Sequence, residues 1–215
     1  MALRDQKSFW QPGGEEARSV KEYFQGLSEL IPRLPYPAMD GIARNLLRAF
    51  EEERTVFVFG NGGSAASASH MMCDMNKGAA TAAPTKQLKV MALTDNVPLL
   101  TAWANDSSYE RVFSEQLKNF VRSRDVAFAI SASGDSPNVL LALRTARENG
   151  AIALGATGFH GGKMKPLCDI CAVVPSGNMH VIEDMHHAML HAIFTVVRKR
   201  LGAAAPQAIA AAGGR

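Results

Sequence analysis

The sequence predicts a three-layer α/β fold, with helices covering both faces of a parallel sheet. Three observations carry that expectation. Short apolar runs recur at 56–60, 89–94, 126–131, 151–156 and 170–175. They are continuous rather than alternating, as strands buried on both faces must be. Stretches of helical spacing separate them, near 64–77, 97–104, 109–122 and 137–149, and a last one spans about 180–201; such βα alternation builds parallel sheets. The third observation is local. Residues 56–64 read VFVFGNGGS, a strand driving into a glycine turn that opens a helix. That arrangement offers unpaired backbone N–H groups and a positive dipole end to an anion.

The elements follow in order. Residues 1–14 are polar and end in Pro-Gly-Gly, which suits an arm. Residues 15–33 and 38–54 each carry one apolar helical face, marked by Val20, Tyr23, Phe24 and Leu27, then by Ile42, Leu46, Leu47 and Phe50. Pro32, Pro35 and Pro37 punctuate the joint. A single domain is expected over 15–201, N-terminal helices included, with the low-complexity segment 202–215 as a disordered tail.

Composition narrows the function. The 215 residues are 47% hydrophobic, enough for one well-packed domain. Lys and Arg number 23 against 20 Asp and Glu, and a formal charge of +3 does not make a nucleic-acid surface. The best apolar run, AMLHAIFTVV, is too short for a membrane span and is interrupted by His191. The start of the chain lacks the apolar stretch of a signal peptide, and three cysteines make no disulfide framework. A cytoplasmic protein handling small anions is expected.

Two loops are candidate anion cradles. In the first, Gly62 and Gly63 let the backbone approach a ligand, while Asn61 and Ser64 add side-chain donors. The second is Ser131-Ala132-Ser133-Gly134-Asp135-Ser136-Pro137, which leaves the third strand and opens the next helix. Its serines read equally as ordinary helix caps. Two such loops at strand carboxyl ends nevertheless mark the edge where open α/β sheets bind ligands. Asp95, after the second strand, is a sugar-hydroxyl acceptor or a turn residue. No P-loop is present, and the first loop lacks the third glycine of a dinucleotide fingerprint.

Ionisable residues recur on two helices. His70 and Asp74 are four apart on the helix that the first loop opens, and Glu183, His187 and His191 are spaced by four near the other end, with His186 beside them. A metal site or an acid/base pair would result if the two helices met. The pair Cys168-x-x-Cys171 leads into a strand rather than a helix, which suits neither a redox pair nor a zinc knuckle.

The ordered motifs GNGGSAASASH, ALTDN, AWANDSSYERVFSEQL, ISASGDSPNVLLAL and GATGFHGGKM resemble the sugar isomerase (SIS) domain, in its phosphoheptose isomerase branch. The resemblance covers about 15–200. It implies a flavodoxin-like, five-stranded parallel sheet. It also implies a homotetramer in which the N-terminal helices pack between subunits and active sites lie at interfaces. By position, sugar-phosphate contacts fall on Asn61, Gly62, Gly63, Ser64, Asp95, Ser131, Ser133 and Ser136. The family's zinc and catalytic set of His, Glu, Gln and His falls on His70, Asp74, Glu183 and His191.

This chain departs from that pattern in three places. Asp74 stands for the usual Glu, retracting the acid by about 1.5 Å, one carbon–carbon bond. Glu183 stands for Gln, adding a negative charge. Gly78 replaces an arginine that usually follows the acid. The resemblance implies an aldose–ketose isomerase acting on sedoheptulose 7-phosphate through an enediol, with Asp74 as base and His191 as partner acid. Asp74 cannot readily be both a free base and a tight zinc ligand. Two other readings stand beside the enzyme: a non-catalytic adaptor for the bacterial replication initiator, and a sugar-phosphate sensor.

Overall fold

A computed structural model describes residues 17, 19–83 and 86–212; the arm expected at 1–14 lies outside them. Helices α1 (Val20–Leu30) and α2 (Tyr36–Glu51) precede the alternating part. There, β1 (Thr55–Gly60), α3 (Gly63–Ala82), β2 (Lys89–Ala92), α4 (Val97–Asp106), α5 (Ser114–Phe120), β3 (Val126–Ser131), α6 (Pro137–Glu148), β4 (Ile152–Thr157), β5 (Ile170–Val173) and α7 (Met179–Ala212) follow in turn. The sheet has five parallel strands in the order β2-β1-β3-β4-β5.

Strand residues divide between the two faces as the period of two requires. Val56 and Val58 pack with Val126, Phe128 and Ile130 beneath α2, α3 and α7. Phe57 and Phe59 turn the other way, with Ala127 and Ala129, beneath α5 and α6. Every residue of β3 is buried, which explains its unbroken apolar sequence.

The helix expected at 109–122 divides into a 3-10 turn, Tyr109–Arg111, and α5. At the C-terminus the expected boundary falls inside an element: α7 continues through Ala212, so 202–212 is helical rather than a disordered tail. Apart from Gly202 and Pro206, this stretch is mostly alanine, a strong helix former that can extend an existing helix at no nucleation cost.

The strand order reverses direction at β1, whose neighbours are β2 and β3. Crevices at such switch points are where this architecture binds ligands. Gly60 ends β1 directly beside Ile130 of β3, so the loops that leave the two strands are neighbours.

Candidate active site

Both candidate loops lie at the switch point. In the first, Gly62 has φ +54° and ψ −122°, a backbone conformation closed to residues with a Cβ. It is the N-cap of α3 and no side chain caps that helix, so its first turn presents bare N–H groups. Ser64 is buried under the turn, against Gly60. Asn61 exchanges two hydrogen bonds with Asn138 of α6, at 2.8 and 2.9 Å, and accepts a third from the Tyr109 hydroxyl at 3.1 Å. One Asn61 amide hydrogen is left for a ligand.

In the second loop, Ser136 does not act as a side-chain cap. Ser136 occupies the N-cap position of α6, yet its side chain makes no capping bond. Its Oγ lies 3.4 Å from Oγ of Ser131, which also accepts from the Gly134 N–H. Ser133 Oγ accepts from the Asp135 N–H at 3.3 Å. At the start of α6, Pro137 has no N–H, Val139 N–H donates to Oδ1 of Asn138 at 3.0 Å and Leu140 N–H to the Ser136 carbonyl, which leaves the Asn138 N–H beside the loop hydroxyls. The glycine-rich segment 158–164 braces this loop from behind: Asp135 accepts from the Lys163 N–H, Met164 N–H donates to the Gly134 carbonyl, and Gly162, with φ +53°, presses on Ser133 and Gly134.

Asp95 follows a turn at the end of β2. It accepts a short hydrogen bond from Ser69 of α3 and another, at 3.1 Å, from Thr94. One of its oxygens is thus already engaged by the protein.

The ionisable groups meet where α3 packs on α7. Met71 and Met75 of α3, with Met185, Met189 and Ile193 of α7, fill the buried seam. His70 and Asp74 each precede one of those methionines, so they stand along the solvent edge of the seam. His191 reaches them from α7. Its Nε2 lies 3.0 Å from His70 Nε2 and 3.6 Å from Asp74 Oδ2, and His70 Nε2 lies 3.3 Å from the same oxygen. His187 completes the group. Its ring centroid is 4.8 Å from that of His70 and 4.7 Å from that of His191, and ligand nitrogens of the three imidazoles all lie within 4.8 Å of one another. Burial, then the neighbouring His191 and His70, holds His187 below its ordinary pKa.

This donor set fits a divalent metal. Zinc takes nitrogens at about 2.0–2.1 Å in a tetrahedron, which sets ligand atoms about 3.3–3.4 Å apart. The separations of 3.0, 3.3 and 3.6 Å bracket that value.

Of the four residues expected to form the metal and catalytic set, His70, Asp74 and His191 converge. Glu183 lies one turn before His187, and its carboxylate faces the first cradle: a Cβ on Gly63 would stand 3.0 Å from its Oε2. One further departure acquires a physical reason. Gly78 leaves room for the Phe194 ring of α7, which a methyl group there would strike. His186, the neighbour of His187, points into the core and is 1% exposed. Burial pushes its pKa down to about 4, only partly offset by the Thr157 backbone. Neither of its ring nitrogens meets a partner in hydrogen-bonding geometry among the described residues.

Sequence reasoning passed over Asn138 and Tyr109. Nothing in their local pattern distinguishes a residue that holds Asn61 from an ordinary helix residue. Cys168 and Cys171 are free thiols hydrogen-bonded to each other, packed where Gly155 has no side chain. That bond raises the Cys168 thiol far above its ordinary range and lowers Cys171.

The fold is a flavodoxin-like α/β sheet with a glycine-rich and a serine-rich loop at its switch point. A family model described as the SIS domain matches residues 22–158, and the chain belongs to that family. It is 36% identical to the phosphoheptose isomerase of Pelobacter propionicus over 177 residues, covering 82% of this chain and 93% of the relative. It is 42% identical to that of Rhodospirillum rubrum over 185 residues, covering 86% and 94%. Among solved structures it is similar to phosphoheptose isomerase GmhA from Neisseria gonorrhoeae, at 28% identity and a TM-score of 0.77 over 84% of this chain and 97% of that one.

Proposed function

We propose that the protein is a sugar-phosphate isomerase that interconverts sedoheptulose 7-phosphate and D-glycero-D-manno-heptose 7-phosphate, as its relatives named phosphoheptose isomerase suggest. One observation carries the reading. A carboxylate and two imidazoles stand within 3.6 Å of one another beside a helix whose first turn is half of an anion cradle. An adaptor or a sensor needs no such cluster.

The proposed chemistry follows from the placement. Ser131, Ser133 and Ser136, with the Asn138 N–H at the start of α6, anchor the phosphate. Gly62, Gly63, Asn61 and Ser64 line the path of the sugar, with Asp95 at its side. Anchoring the far end holds the sugar in the site, with C1 and C2 toward the ionisable cluster. Asp74 removes the proton from one carbon, and His191 exchanges protons with the oxygens as the enediol forms and collapses. Where zinc is bound by His70, Asp74 and His191 it would polarise those oxygens and stabilise the developing negative charge; Asp74 and His191 act as base and acid when they are not held as its ligands.

The assembly is part of the same reading. His70 and His191 side chains are 48% and 49% exposed, too open for an enediol that must be shielded from water. Val20, Phe24 and Ile31 present large apolar side chains to solvent on the N-terminal helices. A homotetramer that buries this row would close the sites at subunit interfaces. We place it, by its phosphoheptose isomerase relatives, as a cytoplasmic enzyme of heptose biosynthesis for lipopolysaccharide. No helix among the described residues is long and apolar enough to cross a membrane.

Incubation with a panel of ketose phosphates, with and without zinc, tests the proposal. Aldose phosphate should form from sedoheptulose 7-phosphate, with solvent deuterium entering at C1 or C2. Binding without conversion or exchange would leave a sensor; neither binding nor conversion would leave an adaptor.

A further inference from the structure

We propose that His187 is a metal ligand in this protein, taking the place that family resemblance gives to Glu183. The centre is then built from two facing pairs, His70 with Asp74 on α3 and His187 with His191 on α7. The inference deepens the isomerase reading and rests on it for the metal's task.

Helix geometry favours the pairing. Residues four apart rise about 6 Å and share a face, so two such pairs on packed helices bring four side chains to one point. Glu183 and His191 are eight apart, about 12 Å along the axis. One ion between them would draw both side chains along α7 from opposite ends. His187 is already in place, its ring packed against those of both His70 and His191. Glu183 instead turns toward the first turn of α3, where its carboxylate sits against Gly63. There it meets the positive end of a helix dipole.

Charge points the same way. Two carboxylates on a divalent ion would neutralise it. Three imidazoles with Asp74 leave the centre one unit positive, suited to an oxygen that gains negative charge. A carboxylate in the first cradle also repels phosphate. That assigns the phosphate to the serine loop and leaves Glu183 beside the sugar hydroxyls, as an acceptor.

Cobalt(II) and zinc binding to the full chain tests the assignment without reference to turnover. Metal affinity is measured by competition with a chromophoric chelator, and the cobalt site by its visible spectrum. His187→Asn should weaken affinity at least tenfold and change the cobalt bands, while Glu183→Gln should alter affinity less than threefold. His187→Cys adds a gain of signal: a thiolate pointing at the ion gives a sulfur-to-cobalt charge-transfer band absent from the parent. The proposal is overturned by a His187→Asn protein that binds like the parent, by a strong loss in Glu183→Gln, or by a parent protein that binds neither metal. A parent that holds cobalt through His187 yet converts no ketose phosphate upholds the proposal and removes the isomerase reading.

Discussion

The two halves of the site are made differently. The cradles are made of backbone: glycine turns, helix starts and hydroxyls that adjoin them in sequence, set by strands β1 and β3 lying side by side. The ionisable cluster is made of side chains brought from positions more than a hundred residues apart by the packing of α3 on α7. The first kind of site is dictated locally and tolerates little change in backbone. The second depends on the rotation of one helix against another, so its membership can shift by a turn while the fold stays the same.

The sharpest way to test this division is to remove chemistry without touching the cradle. Asp74→Asn keeps the shape of the side chain and takes away its basicity. Turnover should fall by about 10²–10⁴-fold, the usual contribution of a positioned acid or base. Affinity for sugar phosphate should stay within about threefold, because the groups proposed to grip the phosphate lie in the other half. Isothermal titration beside single-turnover kinetics checks both. Full activity would remove Asp74 from its role, and lost binding would dissolve the division.

A second test contrasts neighbours on α7. His187 lines the cluster, whereas His186 is buried with its pKa lowered to about 4 from 6.5. The folded state takes up this proton less readily than the unfolded chain. Its neutral form therefore costs nothing above pH 6.5, and stability drains away as pH falls from 6.5 toward 4. The full loss is about 3 kcal/mol. Urea unfolding in the presence of a chelator, so that metal release adds nothing, should show this slope in the parent and a flatter one in His186→Leu. Equal slopes would mean that another group drives acid unfolding.

The same contrast explains what the sequence could and could not reveal. All five strands were legible, since parallel strands buried on both faces are unbroken apolar runs. Both strand-to-helix loops were legible too, because each lies within a few residues of its strand. The bracing of the serine loop by 158–164 was not: it joins segments that only the sheet brings together. The spacing of His187 and His191 was visible, but which residues of α7 face α3 depends on the buried methionine seam. Position in a family pattern pointed to Glu183, whereas the packing sets His187 beside His70 and His191. The end of the last helix was missed for another reason: an alanine-rich segment resembles a tail in composition and a helix in propensity.

The cradle half yields to smaller changes. Gly62→Ala places a Cβ where nothing stands within 4 Å, so crowding plays no part. The cost is conformational, because φ +54° with ψ −122° is closed to alanine. Stability should drop by about 1–3 kcal/mol, the usual size of such strain. If the loop relaxes instead, stability is kept and sugar-phosphate affinity is lost. A variant that keeps both would show that backbone geometry does not define this cradle.

Ser136→Ala is the mildest test. Its hydroxyl caps nothing and lies beside Ser131 at the start of α6, so on the proposed reading its removal takes one donor from the phosphate and leaves the helix intact. A single hydrogen bond to a charged group contributes about 1.5–3 kcal/mol, and one between neutral groups about 0.5–1.5 kcal/mol. Partial exposure and the remaining donors place this one near the boundary. KM should rise about tenfold, the factor that 1.4 kcal/mol sets. The turnover number should hold, because a phosphate anchor distant from C1 and C2 grips substrate and transition state alike. Unfolding midpoints should be unchanged, in contrast to Gly62→Ala. A parallel fall in turnover number would mean that the cradle also aligns the reacting carbons, and that the two halves act as one.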